Sequence, residues 1–445
     1  MGYRMKFLPS LDRHPFLSGL ALFGFGVFAL GFVPLVQGVP QEAAAQETGV
    51  QESGAQADAP HIPDHAMGGD HAKIHSEHMA QIRAGDGESA APVSLADWGA
   101  LLFMDTNLSA NRTMACATCH SPEAAFTDPR ETLAGRAVSL GDDGTSLGDR
   151  NTPTAAYARF SPAFGKNAKG EWRGGQFHDG RAASLADQAG GPPLNPIEMG
   201  MASKAAVAAR LAEDPAHRAA LQKFAGISDP MADPEASYTA MTKAIEAFEQ
   251  GDNFAPFDSK YDRYLQGSYK LTDEEELGRV LFFSNQFTNC ALCHKLNEFG
   301  GAANETFTDY RFHNIGTPAN AAARAQNGVT ALDEGLAATT GDPADRGKFK
   351  TPTLRNVAVT APYMHNGVFN DLRTVILFYD KYNSGNPARQ INPETGAAWA
   401  APEVPETLAL TELETGPGLQ DVRVDALVAF LKTLTDARYE GLLAP

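Results

Sequence analysis

The chain contains Cys116-Ala117-Thr118-Cys119-His120 and, further on, Cys290-Ala291-Leu292-Cys293-His294. C-x-x-C-H is the attachment signature of a c-type haem. The two thiols bond to the haem, and the following His is placed to ligate its iron. These two motifs use all 4 cysteines of the chain. We therefore predict two covalently bound haems; paired zinc or redox cysteines are the alternative, and they leave both histidines unexplained.

An amphipathic helix is predicted before each motif, which makes the chain an internal repeat. Gly99 to Phe103 precedes the first motif, and the similar phrase Gly278 to Phe282 precedes the second. Thr272 followed by Asp273 to Glu276 indicates a capped, acidic first turn of the second helix. Further helices are predicted over 205–224, 236–248 and 424–434. The fold class is mainly α, with two tandem cytochrome c domains over 94–268 and 269–445.

The length of the chain indicates its number of domains, and its net charge limits the classes of partner. A chain of 445 residues is too long for one ordinary core, so two domains with extensions are expected. A net charge of -18 argues against nucleic acid as a partner and is compatible with a basic or locally complementary protein.

The N-terminus carries a predicted export signal. Arg4, Lys6 and Arg13 precede an uncharged run over 16–41, and small residues follow at 43–45. This pattern is typical of a signal peptide over 1–45; an uncleaved membrane anchor is the alternative, since the apolar run is long. Both interpretations export the body of the protein, so we expect a periplasmic location, with membrane attachment only if the segment is uncleaved.

Residues 46–93 are predicted to be a disordered linker, because up to Pro92 they contain no Phe, Trp or Tyr. Five of the 12 histidines lie there, at His61, His65, His71, His75 and His78. A solvated tether with incidental histidines is the favoured interpretation, and metal capture by a helical form is the alternative.

The residue on the far side of each iron decides function, because a doubly ligated haem carries electrons whereas an open one binds peroxide. Spacing alone does not choose that residue for the second haem. The candidates beyond Cys290 are His313, His365, Tyr310, Tyr363, Tyr379, Tyr382 and Met364.

From about residue 94 onwards the chain resembles the di-haem cytochrome c peroxidase and MauG family, and within it the MauG branch. The motifs that carry the resemblance are separate and specific. They are Asn151 to Pro153, Gly180-Arg181, Asn195 to Met199, Thr351 to Asn356, Pro362 to Gly367, Asp371 to Tyr379 and Arg423 to Lys432.

The resemblance implies a tyrosine ligand for the second haem. Ordinary members of the family have a Met at the position of Tyr379. The MauG branch has a tyrosine there, as this chain does. An anionic oxygen donor favours the higher oxidation states of iron, whereas a thioether favours the reduced state. A core aromatic on a helix is the alternative interpretation of Tyr379.

The resemblance also implies that the His120 haem is open and binds peroxide. The switchable distal His of ordinary members is replaced by Arg136, which has no lone pair for iron, and the nearby loop offers only Asp142 and Asp143. Glu198 matches the family's distal acid, with a solvated loop carboxylate as the alternative. Gln188 and Pro192 match residues that line the same pocket.

A calcium ion between the haems is implied at Asn151, Thr360 and Pro362, largely through oxygen atoms.

Two positions depart from the MauG branch. His178 replaces an expected inter-haem tryptophan, and ligation of the first haem by His178 stays open. Thr288, with Phe287 beside it, replaces the tryptophan that precedes the second motif and relays oxidising equivalents to a protein substrate. Neither Phe nor Thr carries an electron hole as readily as Trp.

We therefore expect an enzyme, a periplasmic di-haem peroxidase that reduces hydrogen peroxide. The expected partner is a redox protein, for instance a methylamine dehydrogenase precursor whose tryptophan-derived cofactor it matures. The alternatives are a cytochrome c peroxidase served by a small cytochrome c or a cupredoxin, and a non-catalytic di-haem electron carrier.

Overall fold

The computed structural model describes residues 92–297 and 302–443, which belong to one compact unit, Gly68–Pro445. The predicted signal peptide and the linker histidines lie outside the described residues, as does the predicted linker except for Pro92 and Val93. Lys223 Nζ donates hydrogen bonds to the carbonyl oxygens of both residues at 3.1 Å. None of the helices over 92–297 and 302–443 is long and apolar enough to cross a membrane.

The described chain is mainly helical, with two short antiparallel strand pairs. The α-helices are α1 Leu95–Met104, α2 Cys116–Cys119, α3 Leu185–Ala189, α4 Lys204–Glu213, α5 Pro215–Ala225, α6 Pro234–Glu249, α7 Lys260–Leu265, α8 Asp273–Phe283, α9 Ala321–Asn327, α10 Ala337–Thr340, α11 Leu372–Asp380, α12 Leu410–Leu413 and α13 Asp421–Lys432. The strands are β1 Gly165–Lys166, β2 Trp172–Arg173, β3 Phe312–His313 and β4 Phe349–Lys350, and β1 pairs with β2 and β3 with β4. The 3-10 helices are Thr106–Leu108, Pro122–Ala124, Ala158–Phe160, Pro192–Leu194, Asp252–Phe254, Cys290–Leu292, Pro343–Asp345, Val357–Val359, Pro387–Gln390 and Ala437–Leu442.

The predicted repeat exists as two equivalent helix crossings. In the first, α1 lies across α6, and a Cβ added to Gly99 would fall 1.9 Å from the Ala244 carbonyl oxygen. In the second, α8 lies across α13, and a Cβ added to Gly278 would fall 1.9 Å from the Ala426 carbonyl oxygen. Each glycine therefore permits a backbone approach that any side chain would block.

Capping residues set where the two leading helices begin. Ser94 caps α1 and Thr272 caps α8, and each side chain accepts a hydrogen bond from the backbone N–H three residues on. Both helices have the reciprocal capping box, which satisfies two otherwise unpaired donors. The predicted start of the second helix at Thr272 is confirmed.

The helix predicted over 205–224 is two helices, because Pro215 interrupts it. Asp214 ends α4 and, as the N-cap of α5, accepts a hydrogen bond from the Ala216 N–H. Proline has no N–H and fits the first turn of a helix far better than its interior. The helices predicted over 236–248 and 424–434 are present as α6 and α13.

Two hydrophobic cores accompany the two crossings. The first includes Trp98, Phe103 and Met241, and Cys116 and Cys119 pack against it. The second includes Phe282 and Phe430, and Cys290 packs against it. Each haem motif therefore has a core of its own. The domain boundary at 268/269 stays a prediction.

The two halves are joined by buried and partly buried polar contacts. Tyr157 Oη donates to Asp436 Oδ1. Arg150 forms ion pairs at 2.7 Å with Asp179 in its own half and with Asp333 in the other.

Candidate haem sites

The first C-x-x-C-H motif lines a cavity of about 550 Å³. Its cysteines lie on α2, and His120 follows directly. His120 Nδ1 lies 3.2 Å from the Phe126 carbonyl oxygen, to which it donates. The proton is therefore on Nδ1, and Nε2 keeps its lone pair for a metal ion. Burial lowers the pKa of His120, which also favours the neutral ligand form.

The second motif repeats this arrangement in a cavity of about 330 Å³. Cys290 and Cys293 lie in and after a 3-10 turn, and His294 Nδ1 is 3.1 Å from the Phe307 carbonyl oxygen. Phe126 and Phe307 both have positive φ, at 57° and 55°, a conformation uncommon for a bulky residue. The repeat thus extends to the backbone carbonyls that orient each histidine.

The free thiols and the cavity sizes of both motifs fit covalently bound haem. All four cysteines are free. Burial raises the pKa of Cys116 and Cys119 to about 12 and that of Cys290 to about 11, so these thiols stay protonated when nothing is bound to them. Both cavities also fall in the size range of cofactor sites. The residues present therefore fit one c-type haem in each cavity.

The three residues expected on the peroxide side, Glu198, Gln188 and Pro192, line the same cavity as His120. Burial raises the pKa of Glu198, and Arg181 and Asn195 oppose that shift. The Glu198 backbone is fixed at both ends, because its N–H donates to Asn195 and its carbonyl accepts from Asp142.

The loop acids near the first motif have structural partners. Asp142 accepts hydrogen bonds from Ser109 Oγ at 2.7 Å and Thr113 Oγ1 at 2.6 Å. Asp143 accepts from Ser146 Oγ at 2.6 Å. Neither acid lines the cavity, and nor does Arg136.

Six of the seven candidates for the second iron line the second cavity, and Tyr382 does not. Tyr382 Oη donates to the Ile315 carbonyl at 3.1 Å instead. Tyr379 reaches the cavity from α11, and burial, with the nearby Cys293 and Cys290, raises the pKa of its phenol. Its hydroxyl has no hydrogen-bond partner among the described residues, so ligation by Tyr379 would require a metal ion to withdraw its proton.

Asn151, His178 and His365 line both cavities and form part of the wall between them. His178 Nε2 donates to the Asn151 carbonyl at 2.9 Å, which occupies that nitrogen. His365 stacks on Phe349 with 3.5 Å between ring centroids. Its Nε2 is buried without a hydrogen-bond partner.

The three residues expected to hold calcium, Asn151, Thr360 and Pro362, all line the second cavity. Asn151 Nδ2 donates to the Ala137 carbonyl at 3.0 Å, so the amide oxygen is the atom left to offer a cation.

A different cluster in the described part of the chain has metal-ligand spacing. One ligand atom each of Cys293, Asp309 and His313 lies within 4.8 Å of the other two. Burial disfavours the charged form of His313, yet the Asp309 carboxylate, 3.5 Å from its Nε2, and the nearby Cys293 thiol raise its pKa to about 10. Because Cys293 belongs to the haem motif, this cluster is part of the second haem site.

The position before the second motif is structural. Thr288 is buried, and its hydroxyl donates to the Leu281 carbonyl at 2.7 Å. Phe287 is 40% exposed, with the Arg423 guanidinium 5.3 Å from its ring.

Glu249 is a further site residue that was not predicted from the sequence. It is a buried carboxyl at the end of α6 that lines the first cavity. Burial, with Glu246 nearby, raises the pKa of Glu249 to about 8, and its Oε2 has no hydrogen-bond partner. A charged residue on the apolar side of a helix, after Ile245 and Phe248, was the signal available in the sequence.

Comparison with known proteins gives a consistent result. The sequence model described as di-haem cytochrome c peroxidase matches residues 94–270. The methylamine utilization protein MauG of Paracoccus denitrificans is 55% identical over 81% of this chain and 94% of its own length. The cytochrome c peroxidase Ccp of Escherichia coli is 34% identical over 66% of this chain and 54% of its own. The crystal structure of the diheme peroxidase BthA from Burkholderia thailandensis covers 80% of this chain and 89% of its own, with 33% identity and a TM-score of 0.71.

Proposed function

The chain belongs to the di-haem cytochrome c peroxidase family, and from that premise we propose how its residues divide the work of a MauG-type peroxidase. Peroxide is reduced at the His120 site, and the His294 site holds the second oxidising equivalent. Bound haem supplies the redox chemistry at both sites. The remaining steps belong to the side chains of this chain.

Glu198 is the proton-transfer residue of the first site. Its carboxyl shares a cavity with His120, and burial raises its pKa, so it holds a proton more readily than an exposed carboxyl does. Such a group can move a proton between the two oxygens of peroxide and assist cleavage of the bond between them. Gln188 and Pro192 border the same space.

The observation that carries the proposal is this shared cavity, which is lined both by a neutral imidazole with a free Nε2 and by an acid with a raised pKa. The test is the reaction of the diferric protein with one equivalent of peroxide, without prior reduction, followed by optical and EPR spectra. One high-spin and one low-spin haem should be present before peroxide, and rapid oxidation should follow.

Glu198→Gln should slow that oxidation by about a hundredfold or more, while Glu131→Gln, an exposed carboxylate near the first motif, should leave it unchanged. Two low-spin haems that ignore peroxide until one electron is added would refute an open first site and would indicate a closing ligand such as His178.

Tyr379 would supply the second protein ligand to the haem iron at the His294 site, and its position in the cavity with His294 supports this. A phenolate oxygen stabilises oxidised iron more than a thioether does.

The calcium ion is proposed at Asn151, Thr360 and Pro362, whose oxygen atoms suit a hard cation. Chelation should change the EPR spectrum, and calcium but not magnesium should restore it. An EPR spectrum that chelation leaves unchanged would argue against the ion.

The partner is proposed to be a redox protein in the periplasm, where covalent attachment at C-x-x-C-H takes place in bacteria. A methylamine dehydrogenase precursor is the first candidate, since the relative from Paracoccus denitrificans is named for methylamine utilization. The second candidate is a small cytochrome c or cupredoxin that donates electrons, and Thr288 with Phe287 before the second motif favours it, because neither carries an electron hole well.

Steady-state turnover distinguishes the two partners. Rapid peroxide reduction with a reduced small cytochrome c, and no oxidation of the dehydrogenase precursor, would establish the second. The opposite result would establish the first. A non-catalytic electron carrier needs no distal acid, and the naming of the relatives as peroxidases supports an enzyme instead.

A further inference from the structure

A hydrogen-bonded series of three side chains, two of them buried, lies in the first half, outside the two cavities. Trp98 Nε1 is 3.0 Å from His217 Nδ1, and His217 Nε2 is 3.1 Å from Asp105 Oδ2. Trp98 has no exposed surface and His217 is 2% exposed. These hydrogen bonds join α1 to α5, and the series ends at Asp105, directly after α1.

The direction of each hydrogen bond follows from the indole. An indole nitrogen can only donate, so Nδ1 of His217 accepts and carries no proton. The imidazole is then neutral with its proton on Nε2, and that proton is donated to the Asp105 carboxylate. Trp98 therefore faces a base whose protonated form would be held by a carboxylate.

The other two tryptophans of the chain lack this arrangement. Trp399 Nε1 donates to the Arg389 carbonyl at 2.7 Å, and a carbonyl cannot accept a proton outright. Lys166 Nζ lies 4.6 Å from the Trp172 ring centroid, and a cation over the ring opposes loss of an electron. Over residues 92–297 and 302–443, no cation lies over the Trp98 ring.

Trp98 belongs to the hydrophobic core that borders the first haem site. Cys116 and Cys119 pack against the core that contains it. Phe103, on the same helix, lines the first cavity, and five residues of helix span about 7.5 Å. Oxidising equivalents formed in that cavity are therefore within short reach of the indole.

We propose that Trp98, His217 and Asp105 form a proton-coupled oxidation site that accepts an oxidising equivalent when the external reductant is absent. This rests on the proposed reduction of peroxide, which supplies the oxidant. Of the two electrons that reduce hydrogen peroxide to water, one comes from the Trp98 indole and the other from the His294 site, which holds the second oxidising equivalent in the proposed function. The indole N–H bond breaks and an N–H bond forms at His217 Nδ1, which leaves a neutral indolyl radical and an imidazolium paired with Asp105. An external donor later returns the electron, and the proton returns with it.

The test uses the diferric holoprotein grown with ring-deuterated tryptophan, mixed with one equivalent of peroxide and frozen. EPR and ENDOR spectra should show a tryptophan radical narrowed by the deuterium, with no exchangeable N–H coupling in H2O. Trp98→Phe should abolish the signal, and the matched variant Trp399→Phe should retain it. A signal that survives Trp98→Phe would overturn the assignment.

His217→Gln keeps the inference testable if the Trp98 variant fails to fold. The glutamine amide can accept a hydrogen bond from the indole and donate one to Asp105, but it cannot take up the indole proton. The radical lifetime should fall by about tenfold or more, or the radical should show an exchangeable N–H coupling. An unchanged radical in His217→Gln would refute proton transfer to the imidazole and indicate a purely structural hydrogen bond.

The optical spectrum separates this inference from the proposed function. If peroxide does not oxidise the wild-type haems, the proposed function fails. If it does and no protein radical forms, the inference fails alone. A tyrosyl radical that is lost in Tyr157→Phe would place the oxidation site at the Tyr157–Asp436 pair and would equally overturn it.

Discussion

At the scale of single residues, the kind of ligand atom at position 379, oxygen or sulfur, should set the reduction potential of the second haem. Tyr379→Met replaces an anionic oxygen donor by a neutral thioether, so the reduction potential of that haem should rise, on the order of 0.1 V. Redox titration followed optically measures it. Tyr382→Phe, which changes a tyrosine outside the cavity, is the control; an equal rise in both variants would exclude ligation.

Glu249 should make stability depend on pH. Its pKa is raised by burial from 4.5 to about 8. Between these values the unfolded chain releases a proton that the folded chain keeps, so the free energy of unfolding falls as the pH rises, by up to about 5 kcal/mol. Glu249→Gln should flatten the dependence of the melting temperature on pH between 5 and 8. An equally steep profile in the variant would show that the carboxyl is ionised in the folded protein.

Residues differ in how far the sequence alone identifies them. The two pentapeptides are recognised directly, because the whole attachment chemistry lies within five adjacent residues. Tyr379 and Glu198 were identified only through family resemblance, since many tyrosines and glutamates have similar local sequence. Glu249 and His217 could not be found, because their roles depend on residues that are distant in the chain.

At the scale of secondary-structure elements, the two glycine crossings should be equally intolerant of a side chain. In Gly99→Ala and Gly278→Ala the new Cβ would meet a carbonyl oxygen at 1.9 Å, so the helices must separate at a cost of about 3 kcal/mol or more. Denaturant unfolding of the holoprotein measures this. Gly385→Ala, with nothing within 4 Å of its Cβ, should change stability little; similar losses in all three would contradict the close approach.

Elements were predictable where their signals are local. The cap at Thr272 identified the start of α8, and periodicity identified α6 and α13. The continuous helix over 205–224 was wrong because apolar spacing persists through Pro215, while the backbone N–H that a continuous helix would need there is missing. Which helices cross could not be predicted, because Gly99 and Gly278 are informative only once Ala244 and Ala426 are seen opposite them.

At the scale of the whole molecule, the halves should unfold together because polar contacts join them, among them the partly buried ion pair of Arg150 with Asp333. Arg150→Met would leave Asp179 and Asp333 without their shared partner, so we expect a loss of about 3 kcal/mol in the free energy of unfolding. Arg112→Met removes an exposed pair with Glu213, whose side chains are both 48% exposed, and should cost less than about 1 kcal/mol. Calorimetry of the two variants compares them; two separate transitions in the wild type would contradict cooperative unfolding.

The tandem organisation was predictable from the repeat, whereas the joining of the halves was not. Arg150 and Asp333 have no sequence feature that pairs them, and neither do Tyr157 and Asp436. Their partners are chosen by how the second half packs on the first, which depends on the shape of the complete surfaces.

Because the two cavities share a wall, neither half carries a complete haem site of its own. Asn151, His178 and His365 each face both sites, so a replacement at any of them alters two environments at once. Grafting one half onto a different cytochrome would therefore transplant an incomplete site. The residues that line the two haem pockets should therefore change together during evolution. Substitutions at the shared wall should be accepted more slowly than at positions that line one pocket alone.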